Sequence, residues 1–257
     1  MTGSELLLAA MLFSFQIYAD FSGYSDMAIG TAKLFGIRLT RNFNNPYFSR
    51  NISEFWRKWH ISLMSWFRDY VFIPLGGNKA GKVKYFRNIL IVFLLSGMWH
   101  GANWTFLAWG LYHALLFLPL VCFGKKQEIT SQVAEGRFLP KLKEVGQMLV
   151  TFGLVLFGWI LFRSENIHDF MNYVSVMCEW GTLRASYRFF LQSDMWPKTV
   201  FIVLMMVVEW IQRRKEHGMD LSGIKNVWLR AICCLVLALV IYTFAYDDIG
   251  TFIYFQF

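Results

Sequence analysis

Residues Ile89–Phe123 read ILIVFLLSGMWHGANWTFLAWGLYHALLFLPLVCF. Two apolar runs, Ile89–Trp99 and Thr105–Phe123, are joined through Gly97–Trp104, which holds His100, Asn103 and two glycines. Both runs are β-branched, leucine-rich and aromatic, without a charge. The reading is a membrane hairpin with the Gly97–Trp104 turn at its deep end. Ionisable groups at membrane depth are costly and mark functional sites by default. Imidazole also exchanges a proton near neutral pH, so His100 is the first catalytic candidate.

Outward from this hairpin the pattern repeats. The chain has 257 residues, 56% hydrophobic, 19% aromatic and 16% charged. The apolar residues fall in blocks of roughly the twenty residues that a helix needs to cross hydrocarbon. Further spans are expected at Leu6 to about Thr31, Val145–Phe162, Thr199–Ile211 and Ala231–Tyr246. The second and fifth of the six, Ile89–Trp99 and Thr199–Ile211, are short. No basic region precedes an apolar core at Met1, so no cleavable signal peptide is read. The fold class is therefore an all-α, polytopic membrane helix bundle.

The net charge of +8 is uneven. Eleven Lys and Arg lie between Lys33 and Arg87, against Glu54 and Asp69 alone. The segments Lys125–Glu144 and Arg213–Arg230 are also basic, whereas Arg163–Lys198 is balanced. Lys/Arg excess marks cytoplasmic loops, which places the first three loops inside and the fourth outside. Basic charge divided among membrane loops does not suit nucleic acid. The cysteines Cys122, Cys178, Cys233 and Cys234 have no ligand spacing and read as small apolar packers. There is no HExxH or paired ligand spacing, so no metal is expected.

Arg41–Leu75 is not a span but an interfacial segment. Asn44-Asn45-Pro46-Tyr47 is turn chemistry, and Pro74-Leu75-Gly76-Gly77-Asn78 closes the segment. Between them Trp56, Trp59, His60, Leu63, Trp66, Phe67 and Tyr70 recur at three- and four-residue steps, while Arg57, Lys58 and Arg68 largely avoid that stripe. This predicts one amphipathic helix, lying in the headgroup region or plugging a cavity. His60 falls on its apolar face, where a hydrogen-bonded core histidine is the commoner occupant. His113 reads as a hydrogen bond to a neighbouring helix. In the first span, Ser22, Ser25 and Asp26 share one helix face while Gln16 and Asp20 form another. Asp20 is open to pairing or to a role near a reaction. Gly76–Lys82 matches phosphate-loop spacing, but Val83 stands where Ser or Thr would hold magnesium, so a basic surface turn is the better reading. Gly97 and Gly101 have the spacing for close helix approach.

Several runs resemble the membrane-bound O-acyltransferase family: Tyr18-Ala19-Asp20-Phe21-Ser22-Gly23-Tyr24-Ser25-Asp26, Asn42-Phe43-Asn44-Asn45-Pro46-Tyr47, Glu54–Leu63, Arg68–Gly77 and Ser96–Trp104. The likeness is to the bacterial branch of alginate O-acetylation, with teichoic acid D-alanyl transfer nearby, and Phe252–Phe257 is similar to that branch's C-terminus. The resemblance implies a multi-pass enzyme of the bacterial cytoplasmic membrane. It binds no cofactor and takes acetyl-CoA or an acyl carrier as donor from the cytoplasm. It acts on a polysaccharide hydroxyl outside, together with an extracytoplasmic transferase partner. It makes His100 catalytic and His60 the second position tied to activity. Trp99 and Asn103 become substrate contacts, with Asp20, and Arg57 and Arg68 would meet the donor's phosphates. Members of the branch are roughly twice as long, so the chain is expected to be their C-terminal half. D-alanyl transfer from a carrier protein, a non-enzymatic acyl channel or scaffold, and a proton-coupled transporter using Asp20, Asp26 and His100 are the competing readings.

Overall fold

The structure, a computed structural model, describes residues 2–79, 81–123, 132–179, 195–215 and 218–244. Among them all regular structure is helical. The helices are α1 (Gly3–Leu34), α2 (Ile52–Lys58), α3 (Ile61–Phe67), α4 (Lys82–Trp99), α5 (Trp104–Leu116), α6 (Leu118–Phe123), α7 (Leu142–Arg163), α8 (Ile167–Cys178), α9 (Met195–Gln212) and α10 (Val227–Phe244). Among the described residues four stretches are long and apolar enough to cross a bilayer: Gly3–Leu34, Trp104–Phe123, Leu142–Arg163 and Val227–Phe244. The chain is a multi-pass membrane protein. The expected second and fifth spans form helices, α4 and α9, that fall short of that criterion. The reason in α4 is its first turns, where Lys82, Lys84 and Arg87 interrupt the apolar run. The expected end of the last span, at 245–246, and the motif Phe252–Phe257 lie outside the described residues.

Two units are distinguished, residues 1–198 and 199–257. In the first, α4 and α5 form the expected antiparallel hairpin. Its closeness has a definite cause. A Cβ on Gly97 would run into the backbone carbonyl of Phe106, and a Cβ on Gly110 into that of Phe93. The two contacts are reciprocal, each joining a glycine of one helix to a carbonyl of the other. Gly101 is not the partner that spacing suggested. It sits in the turn with φ of +143°, a conformation that side chains disfavour. Asn103 caps α5, its Oδ1 accepting from Thr105 N at 3.1 Å.

Helix α7 packs against α5 and α1. Gly158 of α7 lies where a Cβ would meet His113 Nε2 at 2.6 Å, and Tyr112 Oη donates to the Leu154 carbonyl at 2.9 Å. Helix α8 leans on the start of α1, Tyr173 Oη donating to the Leu6 carbonyl at 2.6 Å. α1 begins with a capping box, Thr2 N donating to the Glu5 carboxylate and Glu5 N to Thr2 Oγ1.

The segment between α1 and α4 departs from expectation. The single amphipathic helix is two short ones, α2 and α3, followed by a wide turn at Arg68–Phe72. They break at Trp59-His60, where His60 adopts φ 45°, ψ 55°. The cause is the strand-like run before them. Asn44 N donates to the Lys58 carbonyl, and Ile61 N to the Asn42 carbonyl, both at 3.0 Å. These bonds replace the intrahelical ones that continuation would have made. The aromatic stripe is divided, with Trp66 and Tyr70 exposed. Trp56, Trp59 and Phe67 are buried, against Phe93, Trp109 and Trp159 for the two tryptophans. Turn chemistry at Asn45-Pro46 holds: Asn45 is left-handed and Pro46 starts a tight turn that inserts Tyr47 between Phe15, Tyr18 and Phe152.

Glu54 is buried and ionically saturated. It accepts from Arg50 N (2.9 Å), Arg50 Nε (3.0 Å) and Lys58 Nζ (2.8 Å). Burial opposes its charge, but Lys58 and Arg50 hold its carboxyl below the usual range. Gly76–Lys79 form a surface turn as expected, gripped by Asn88 Nδ2 donating to the Leu75 and Gly77 carbonyls. The cysteines are not core packers: Cys122, Cys178 and Cys234 face outward, and Cys233 is half-buried. In the second unit, Phe201 meets Phe244 edge-on at 4.8 Å, Arg213 lies over the Trp210 ring at 4.2 Å, and α10 has no buried residue.

Because the atoms opposite Gly110 are backbone, Gly110→Ala is expected to cost about 1–3 kcal/mol through overpacking. Gly146→Ala, with open space around its Cα, should be neutral or stabilising. Thermal unfolding of the two variants in detergent checks the contrast.

Candidate active site

His100 follows the last residue of α4 and closes the helix, its N–H donating to the Gly97 carbonyl. The hairpin contact at Gly97 thus fixes where the imidazole stands. The ring is half-buried. It meets Phe162 of α7 at 4.9 Å, and Trp109 and Phe106 of α5 at 5.5 and 6.1 Å between centroids. Trp109 leads to Trp159, and Trp159 to Trp59, so three tryptophans form a continuous wall. Trp59 immediately precedes His60.

His60 arrives from a different element, presented by the left-handed break. Its ring packs edge-on against Phe21 of α1 at 4.6 Å, and its Nδ1 is 3.5 Å from Ser62 Oγ. Asn42 holds the break in place. Its Oδ1 accepts from Ser62 N (3.2 Å) and Ser62 Oγ (2.6 Å), and its Nδ2 donates to Ser25 Oγ on α1 at 3.1 Å. Of the expected polar face on α1, only Ser25 is buried; Asp26 is exposed and Ser22 half-buried. Burial pushes the His60 imidazole down to about 4, and the charge that His100 would carry adds to the effect. The two histidines therefore share one electrostatic neighbourhood.

The other expected site residues distribute differently. Asn103 is occupied: besides capping α5, its Nδ2 donates to the Glu165 carbonyl at 2.7 Å, tying the turn to the end of α7. Trp99 is 68% exposed and is not part of the wall beside His100. Asp20 is half-buried on α1, next in sequence to Phe21. Arg57 and Arg68 line a separate cavity of about 350 Å³ whose walls include neither histidine. His113 is sealed in the core and accepts a hydrogen bond from Trp56 Nε1 at 3.3 Å, the structural role expected for it. Asn42, Trp109, Trp159 and Phe162 build the site yet were not singled out in the sequence. Asn42 alone carried a signal, as a polar residue beside turn chemistry.

Residues 5–125 match the model of the membrane-bound O-acyltransferase family. The protein named "Probable alginate O-acetylase AlgI" from Pseudomonas aeruginosa is 42% identical over 185 residues, 72% of this chain and 34% of that protein. The peptidoglycan O-acetyltransferase of Helicobacter pylori is 30% identical over 97% of this chain and 49% of its own length. The teichoic acid D-alanyltransferase of Bacillus subtilis is 34% identical over 61% of this chain and 40% of its own. The chain belongs to the membrane-bound O-acyltransferase family. It spans between about a third and a half of the length of these curated relatives.

His60 favours its neutral form in the folded state, so it withholds a proton that the unfolded chain binds near pH 6.5. Stability from this residue is full above about pH 6.5 and falls as pH drops, levelling off near pH 4. Its loss is at most about 3 kcal/mol. Unfolding of wild type and His60→Gln between pH 7.5 and 4 should show a shallower acid decline in the variant.

Proposed function

We propose that this chain transfers an acyl group, acetyl from acetyl-CoA, to a hydroxyl of an extracytoplasmic polysaccharide, with His100 as general base. The observation that carries the reading is that His100 and His60, both half-buried and from separate elements, stand at the two ends of the Trp109–Trp159–Trp59 wall, near enough for the charge of one to act on the other. The relatives named as O-acetylase and O-acetyltransferase support acetyl as the group moved.

The chemistry needs one proton carrier. An imidazole nitrogen of His100 takes the acceptor's hydroxyl proton as that oxygen bonds to the thioester carbonyl carbon. The carbon–sulfur bond then breaks, and the departing thiolate receives the proton from His100. General base catalysis of this kind contributes roughly 10²–10⁴-fold. His60, held neutral at pH 7, adds no positive charge to oppose the transient imidazolium on His100. The aromatic wall excludes water, which strengthens electrostatics inside the site. The excess of Lys and Arg between Lys33 and Arg87 supports a cytoplasmic donor side, in the bacterial inner membrane, and attracts an anionic donor. The acceptor and an extracytoplasmic transferase partner would lie on the other face.

A second reading, D-alanyl transfer from a carrier protein, rests on the match to the teichoic acid D-alanyltransferase. Membrane vesicles supplied with radiolabelled acetyl-CoA or with D-alanyl carrier separate the two by which label reaches polymer. Under the acetyl reading, His100→Ala should lower transfer at least 100-fold, and His100→Gln similarly. Acetyl transfer by either variant within tenfold of wild type ends the assignment.

A further inference from the structure

The cavity of about 350 Å³ that the histidines do not line has a two-part wall. At one side stand Arg57 and Arg68 with the hydroxyls of Ser53 and Ser65. At the other stand Ile89, Val92 and Phe93 of α4, with Phe117 beyond the end of α5. Arg57 donates to Ser53 Oγ at 3.2 Å. Arg68 pairs with Asp69 at 2.7 Å, but both side chains are about half exposed, and such a pair is weak. Glu54, the other acid between Lys33 and Arg87, is bound to Arg50 and Lys58. Both acids of the basic segment therefore have cation partners, and the charge that remains at the cavity favours an anion.

The position excludes a reacting ligand. Phe93 lies seven residues before His100 on one helix, and Ile89 eleven, which is roughly 10 and 16 Å of rise. Trp56 forms part of the cavity wall and is buried, its indole N–H held by His113. Behind it stands Trp109, and Phe93 packs edge-on beside it in the same wall. A thioester seated in this cavity would face a closed aromatic partition instead of the imidazole of His100. The ligand must therefore be non-reacting, anionic at one end and apolar at the other.

We infer that the cavity binds an anionic phospholipid, its phosphate on Arg57 and Arg68 and one acyl chain along α4. Basic pockets between membrane helices on the cytoplasmic side select such headgroups. The volume is at the low end for ligand sites, which suits one chain inside and the other in the bilayer. The arrangement is separate from the histidine site, so it stands whether or not acyl transfer is the chain's activity.

Native mass spectrometry and thermal unfolding of the purified, delipidated chain in detergent test this. The probes are dioleoyl phosphatidylglycerol, dioleoyl phosphatidylcholine, glycerol 1-phosphate and acetyl-CoA. Phosphatidylglycerol should bind at least tenfold tighter than phosphatidylcholine and raise the unfolding temperature; glycerol 1-phosphate at equal concentration should do neither. Arg57→Gln/Arg68→Gln should bring the two lipids within twofold of each other. Val92→Trp, which fills the apolar side without touching a charge, should weaken phosphatidylglycerol at least fivefold. Equal binding of the two lipids, or an undiminished preference in the double variant, overturns the proposal. So does displacement of phosphatidylglycerol by acetyl-CoA, or full binding by Val92→Trp. The unfolding temperature of each variant without lipid verifies its fold, and the preference ratio, being internal to one protein, does not depend on equal stability.

Discussion

The reciprocal glycine–carbonyl contact between α4 and α5 is the constraint from which the first unit follows. Gly97 against Phe106 and Gly110 against Phe93 set the separation and register of two helices in one step. In a bilayer no hydrophobic drive brings helices together, since lipid is as apolar as leucine, so close packing has to supply the association. With the register fixed, the chain reverses over His100–Asn103, and the imidazole is delivered onto Phe106 and Trp109 of the returning helix. Phe162 of α7 completes the surround. The position of His100 is thus a consequence of backbone packing.

His60 is positioned by a different device. A left-handed conformation at a non-glycine residue costs about 1–2 kcal/mol, and such outliers persist only where the surroundings over-determine them. Here Asn42 supplies the determination. Its backbone carbonyl and side chain take hydrogen bonds from Ile61 and Ser62, and its amide reaches α1 at Ser25. The break allows Trp59 to turn inward to Trp159 while His60 turns to Phe21. A continuous helix would carry residues 59 and 60 about 100° apart on one cylinder, without the reversal of backbone hand at His60 that the break supplies.

Hydropathy made the membrane spans and the hairpin legible, because burial in lipid or in a neighbour leaves the same apolar signature. The weakness of the second and fifth spans was also legible, since charge in α4 lies at its start. The break at Trp59-His60 was not. Periodicity reports which residues face a core, and α2 and α3 both face one, so the stripe continues through a point where the helix does not. The capping role of Asn103 was hidden for a related reason. An asparagine beside a catalytic-looking histidine is equally the residue that caps the next helix, and only the Thr105 and Glu165 bonds distinguish the two. Nothing in the spacing of Arg57 and Arg68 says which side of Trp56 they occupy, and both line the cavity that the histidines do not. Gly110 carried a signal that was passed over: Phe93 and Gly97 are four apart, as are Phe106 and Gly110, and the crossed pairs are symmetric about the turn.

The three histidines of the first unit's core region show how environment sorts one side chain into different roles. His113 has Trp56 donating to Nδ1, which leaves the proton of the neutral ring on Nε2, and that nitrogen is sealed against Gly158. A ring with one nitrogen engaged and the other shut in can neither take a proton from a substrate nor return it. Its value is structural, holding the indole of Trp56 as a partition. His60 and His100 are half-buried instead, their rings packed against the aromatic faces of Phe21 and of Phe106, Trp109 and Phe162. Burial keeps the His60 ring neutral near pH 7, and the charge that His100 would carry adds to the effect. The same residue type, one helical turn or one backbone flip away, serves only to brace.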